Sequence, residues 1–160
     1  MERFQEARDR AQTRLRIADH MLTQTYPLVR DTKLLLAVIE NIFLGLTSTM
    51  AALLYYERTF KRVPPFVDNF ENKFHIFKEV CRRYNFPKQH ILLIKNVKDL
   101  IVAHKKSPVE FARKDCFVIC SEKYDMQTIT TGKIKEYIVQ SKELLRDVSQ
   151  ILVKNEGIFR

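Results

Sequence analysis

The chain has 160 residues, a length suited to one domain spanning 1–160, and 46% of them are apolar, enough to fill a core without disulfide or metal staples. Its 3 glycines and 5 prolines disfavour a turn-rich all-β fold and a disordered chain, and the scattered Gly45, Gly132 and Gly157 exclude the glycine-rich phosphate loops of Walker-type and dinucleotide-binding enzymes. Lysine and arginine exceed aspartate and glutamate 28 to 19, and the net charge of +9 favours a polyanionic or acidic partner.

The first residues, MERFQEARDRAQ, are charged and lack an apolar h-region, so no signal peptide is expected. Phe4, Ala7, Ala11, Leu15, Ala18 and Leu22 step by three and four, which predicts an amphipathic helix over 2–24 with Arg3, Arg8, Arg10, Arg14 and Arg16 mostly elsewhere. Pro27 ends or interrupts it. Asp31 is a candidate N-cap for a second helix that runs to about Phe60.

That second helix is apolar on nearly every side from Leu34 to Tyr56. Its length meets the rule for a membrane span. Against a span at 34–56, Glu40 and Asn41 lie inside the stretch, and a carboxylate at depth costs about 2.5–3.5 kcal/mol. Four amphipathic helices in the same chain also need a surface to bury their stripes against. A core helix in a cytoplasmic protein is therefore the expectation. A small bundle cannot enclose so long a helix completely, so one side is expected to face a second copy in a homodimer, with Glu40 and Asn41 as buried polar groups near that seam.

RVPPFV breaks the second helix. Asp68 followed by Glu71 has the outline of a capping box for a third helix, with Phe70, Phe74, Phe77 and Cys81 on one face and Arg82 and Arg83 in the last turn. Asn85-Phe86-Pro87 reads as a sharp turn with Pro87 at the first helical position. A fourth helix over about 88–104 presents Ile91, Ile94, Val97, Leu100 and Ile101. At about 107–130 the period changes. CFVICS alternates, with Cys116, Val118 and Cys120 on one face and Phe117 and Ile119 on the other, and pairs with MQTIT as a small hairpin to which VEF adds a short strand. Thr130 or Thr131 caps a last helix striped by Ile134, Tyr137, Ile138, Ser141, Leu144, Leu145, Val148, Ile151 and Leu152, and the tail NEGIFR frays. The expected fold is mainly all-α: an up-and-down bundle of about five helices around a long apolar helix, with a small β-hairpin insertion before the last.

Three cysteines, Cys81, Cys116 and Cys120, form no CxxC pair and read as reduced buried thiols; no metal and no cofactor are expected. His20 and His75 lie on separate helices and read as core or surface histidines rather than metal ligands.

The stretch LIKNVKDLIVAHKKSP carries the chemistry. Lys98, Asp99 and His104 stand near the end of the fourth helix. A titrating imidazole beside ammonium groups can bind phosphate and move a proton on a ribose hydroxyl. The same residues also describe a solvated helix end. Around them Arg82, Arg83, Lys95, Lys105, Lys106, Arg113 and Lys114 form a basic run, with Tyr84, Phe86 and His90 interleaved as candidate stacking groups for unpaired bases. A solvated basic face with Phe86 buried is the alternative.

The order of elements and the segment from Lys98 to His104 resemble the HEPN superfamily of helical nucleotide- and RNA-associated domains. That family's signature is an arginine, often followed by a polar residue, and then a histidine four to six residues further on near the end of a late helix. Here Lys98 replaces the arginine, Asp99 follows, and five residues separate Lys98 from His104. The resemblance implies a helical homodimer. In the family's ribonucleases both subunits contribute these residues to a shared cleft that cuts RNA without metal. Lysine keeps the charge but loses the planar two-pronged grip on phosphate. The implied function is therefore binding of RNA or nucleotide phosphates through a basic cleft, without efficient catalysis. Two alternatives remain: a metal-independent, toxin-type endoribonuclease with His104 as acid/base, Lys98 on the phosphate and Asp99 supporting, or a helical protein–protein interaction module. An antitoxin or a nucleotidyltransferase-type protein is the partner class that the resemblance implies.

Overall fold

The computed structural model describes residues 2–106, 109–113, 116–120 and 126–154. Five long helices form the bundle: α1 (Arg3–His20), α3 (Lys33–Thr59), α4 (Phe70–Arg83), α5 (Lys88–Lys106) and α6 (Thr131–Lys154). A π-turn at Met21–Thr25 runs on into the short α2 (Tyr26–Val29). Pro27 thus interrupts the first coil without stopping it: proline has no N–H to donate and the widened turn accommodates it. The coil ends at Arg30, in the left-handed region at φ 53.

The helix ends show which local signals act. Asp31 accepts from the backbone N–H of Lys33 at 3.0 Å, one residue before the N-cap position of α3. At α4 the cap is Asn69, whose side chain accepts from the Asn72 N–H at 2.8 Å, while the Asn72 side chain accepts from the Val67 N–H at 2.9 Å; Asp68 instead pairs with Lys73 at 2.8 Å, so the cap lies one residue later than expected and the reciprocal half of the capping box is absent. That lysine, by hydrogen bond and charge, holds the Asp68 carboxyl below its usual range. Asn69→Ala is expected to lower stability by about 1 kcal/mol and Asp68→Ala by less, read as shifts in the urea midpoint. At the far end Lys61 (φ 57) turns the chain out of α3, several residues ahead of the two prolines. Asn85 (φ 55) does the same after α4, and the Phe86 N–H closes back on the Cys81 carbonyl at 2.9 Å. Pro87 lies just ahead of α5 rather than at its first position. Thr130 caps α6 by accepting from the Lys133 N–H at 3.1 Å.

α3 is the axis. Leu35, Val38, Ile42, Leu46, Met50, Leu53 and Leu54 are fully enclosed, and α1, α4, α5, α6 and the sheet all pack against this helix. It is also long and apolar enough to cross a membrane by length and composition, with 50% of its most apolar window buried. The stripe expected on α1 is buried in full. Glu40, expected to be buried, is exposed; Asn41 is half-buried, donating to the Ala37 carbonyl at 2.9 Å and accepting from Arg14 at 3.3 Å. The carboxylate that α3 does bury is Glu57.

Before α6 the hairpin has three strands: β1 (Val109–Arg113), β2 (Cys116–Cys120) and β3 (Met126–Thr130), antiparallel in the order β1-β2-β3. Arg113 pairs with Cys116 and Cys116 with Thr130. As the central strand, β2 buries Phe117, Val118 and Ile119 alike, so both of its faces are covered at the middle of the strand. Cys81 is buried, whereas Cys116 and Cys120 are only half-buried. Burial pushes the Cys81 thiol up to about 12. Native protein is therefore expected to react with iodoacetamide at Cys116 and Cys120 and to leave Cys81 unmodified until the bundle is unfolded, as read by peptide mass mapping.

Candidate nucleic-acid interface

The structure divides the corner predicted from sequence. Lys88, Leu92, Lys95, Asp99 and Lys106 lie along the exposed face of α5, and Lys105 is exposed beside Lys106. Lys98 is turned away from that face. Its ammonium sits 4.7 Å from the Phe70 ring centre and 5.4 Å from that of Phe43. These rings belong to a tilted pair across α3 and α4 at 5.8 Å, and Phe70 in turn stacks on Phe74. A cation over two aromatic faces ties α5 to both helices. His104 is half-buried in the last turn, about 120° around the helix from Lys98. One chain therefore does not place Lys98, Asp99 and His104 on a common face. Arg82 and Arg83 are exposed at the end of α4, where Arg83 donates to the Arg62 carbonyl at 3.3 Å. Arg113 is in β1, and Lys114 lies outside the described residues.

A concave site opens elsewhere, between the α4–α5 turn and the C-terminal half of α6. This cleft of about 790 Å³ is lined on one side by Tyr84, Asn85, Phe86 and Pro87 and on the other by Arg146, Asp147, Ser149, Gln150, Ile151, Val153 and Lys154. The local sequence explains the first wall. Asn85 tolerates the left-handed conformation and Pro87 begins the next rise, so the two aromatics are held out from the helix ends. Their rings lie 6.0 Å apart at 33°, and Phe86 meets the edge of His90 at 5.8 Å. The second wall is a face of α6 with Arg146, Gln150 and Lys154 exposed at four-residue steps.

Two buried polar contacts brace the cleft. His90, 5% exposed, is hydrogen-bonded through Nε2 to Asp147 Oδ2 at 2.7 Å, joining the first turn of α5 to α6. Behind the other wall, Tyr84 donates its hydroxyl hydrogen to Glu57, which is fully buried. Arg62 donates to the Tyr84 hydroxyl at 3.1 Å and stands 3.6 Å from the second carboxylate oxygen, which has no hydrogen bond of its own. Burial, then the hydrogen bond and charge of Glu57, push the Tyr84 hydroxyl well above its ordinary value. Tyr84 is thus a cleft-lining ring anchored from beneath.

Of the three interleaved rings expected from sequence, Tyr84 and Phe86 line this cleft, whereas His90 is buried against Asp147 and has no face open to a base; the cations facing the two rings come from α6. Arg146 and Lys154 were legible only as exposed positions opposite the α6 stripe. The pairing of His90 with Asp147, 57 residues away, leaves no local signal. Among the described residues no group of three His, Cys, Asp or Glu side chains is placed to hold a metal ion.

Compared with protein-family models, curated proteins and solved structures, the chain matches none of them.

Proposed function

We propose that this chain is a helical domain of HEPN-like type that binds RNA or nucleotide phosphates in the cleft between the α4–α5 turn and α6, without cutting them. The observation that carries this reading is the composition of the cleft. Arg146 and Lys154 face Tyr84 and Phe86 across about 790 Å³, so cations for phosphate and π-faces for a base share one concavity in a chain of net charge +9. A volume of that size admits a nucleotide. Base stacking on aromatics with phosphate neutralisation is sequence-tolerant and salt-sensitive. The reading shifts the binding residues away from Lys98, whose charge already faces Phe43 and Phe70.

The test is an RNA retention assay in EDTA. Labelled RNA is expected to bind and remain intact, with affinity falling steeply as salt rises. Arg146→Ala should reduce the salt slope by about 1, and His104→Ala should leave retention unchanged. Release of 2′,3′-cyclic phosphate ends, abolished by His104→Ala, would replace this reading with the nuclease alternative. Absence of any RNA retention would leave the protein-interaction module.

The proposal takes the protein as cytoplasmic, with α3 as a core helix, and as a homodimer. Light scattering of detergent-free protein is expected to give twice the 19.0 kDa chain mass. A requirement for detergent to stay in solution would count against the core assignment of α3.

A further inference from the structure

A second concavity, of about 390 Å³, lies between α1 and α6 and is lined by Arg8, Gln12, Lys142, Leu145, Arg146 and Ser149. Arg146 and Ser149 also line the aromatic cleft, so the two concavities adjoin along one face of α6. Lys142, Arg146, Gln150 and Lys154 form an exposed row of four-residue steps along that face. From Lys142 to Lys154 the row covers about 18 Å of helix axis, the length of about five stacked nucleotides at roughly 3.4 Å each. A mononucleotide seated in the aromatic cleft would leave the α1 side unused. The cations there are held in place: Lys142 is bonded to Asp19, and Arg8 stands 3.7 Å from Asp9. Two carboxylates lie among the cations of α6: Asp147 is engaged by His90, and Glu143 is exposed.

Resting on the phosphate-binding reading above, we infer that cleft and groove form one track for single-stranded nucleic acid. One base stacks at Tyr84 and Phe86, and the following phosphates run along Arg146 and Lys142 to Arg8. The track selects a flexible single strand, because unpaired bases are needed at the aromatic end while the phosphate contacts continue along the helix.

The experiment compares adenosine 5′-monophosphate, an oligoadenylate long enough to span both concavities, a duplex of equal charge, and polyglutamate, against wild type and Arg8→Ala/Lys142→Ala. Lys142 is exposed and Arg8 half-buried, with 23% of its side chain exposed, so circular dichroism checks that the fold is kept. The expected result is tighter binding of the oligoadenylate than of the monophosphate, duplex or polyglutamate. The double variant should lose about 2 from the oligoadenylate salt slope while the monophosphate binds unchanged. Oligoadenylate binding that is no tighter than the monophosphate, or is untouched by the double variant, overturns the track and leaves the cleft reading standing. Polyglutamate binding as tightly as the oligoadenylate overturns the track in favour of an acidic protein partner. Failure of every nucleic-acid probe to bind overturns both readings.

Discussion

Gly45→Ala is expected to destabilise the bundle, although alanine is the better helix former by about 1 kcal/mol. A Cβ at this position would lie 2.6 Å from Leu15 Cδ2 and 2.8 Å from Leu15 Cγ. Leu15 is itself 1% exposed, and its branch carbon cannot swing aside without moving α1. Overpacking of this kind costs about 1–3 kcal/mol, so the net loss for alanine, after the gain of about 1 kcal/mol in helix propensity, is up to about 2 kcal/mol. Gly45→Val, with more volume and no such gain in helix propensity, should lose about 3 kcal/mol or more, a large share of an ordinary domain's stability. The sharper outcome is a reversal of sign. On a Leu15→Ala background, itself costing about 2–5 kcal/mol, the obstacle is gone and Gly45→Ala should stabilise by about 1 kcal/mol. Urea midpoints of the four proteins decide this. A stabilised single Gly45→Ala variant would mean that α1 can slide along α3, and the seam would be looser than Ala7, Ala11 and Ala18, all fully buried with it, make it.

The reason this seam could be read in part from sequence also explains what could not. Periodicity reports which side of a helix is apolar, and the α1 stripe from Phe4 to Leu22 lies inside as its spacing required. Length and composition likewise placed α3 at the centre, because a helix apolar all round must be covered. Periodicity does not report which polar residue is buried. Glu40 lies in the middle of the apolar run and is exposed, whereas Glu57, at its far end beside Arg58 and Thr59, is enclosed. The difference arises from two residues that the linear pattern places elsewhere: Tyr84, 27 positions away, supplies a donor, and Arg62 supplies a charge. Lys98 has the same history. Its spacing to His104 fits a motif, but its ammonium lies over Phe43 and Phe70, from two other helices, and a motif cannot register a competing partner in space. The cleft was half legible. Tyr84, Asn85, Phe86 and Pro87 are one local turn with its own signals, whereas the α6 wall depends on how the last helix docks, which His90 and Asp147 fix together.

Tyr84→Phe should then cost more than the loss of one hydroxyl suggests. The substitution leaves the ring in the cleft wall and opens no cavity, but it removes the only hydrogen bond to the Glu57 carboxylate among the described residues. An enclosed carboxylate would remain, with the Arg62 guanidinium 3.6 Å from one oxygen and the Arg62 side chain 41% exposed to competing solvent. Hydrogen bonds to charged groups contribute about 1.5–3 kcal/mol, and the stranded acceptor sets the loss in that range. Replacing both polar partners, as in Glu57→Leu with Tyr84→Phe, should recover most of it, since removing a buried polar pair together is close to neutral while removing one member is not. Arg62 can stay in place in that variant, with its guanidinium 4.7 Å from the Phe60 ring centre. The pH dependence points the same way. Tyr84 holds its proton more tightly when folded than an ordinary tyrosine near 10.0, and buried Cys81 does so relative to 9.0, up to about 12. Unfolding therefore releases protons at high pH, and wild-type stability is expected to be intact below about 9 and to fall as the pH rises from there. Tyr84→Phe should flatten part of that fall above about 10 and leave the parts due to Cys81 and to Tyr137, whose hydroxyl burial also pushes up. An alkaline limb unchanged by the substitution would remove the Tyr84 hydroxyl from the core network. Retention of RNA by the Glu57→Leu/Tyr84→Phe protein near the wild-type level would show that the buried carboxylate serves only to seat the ring proposed as the stacking surface.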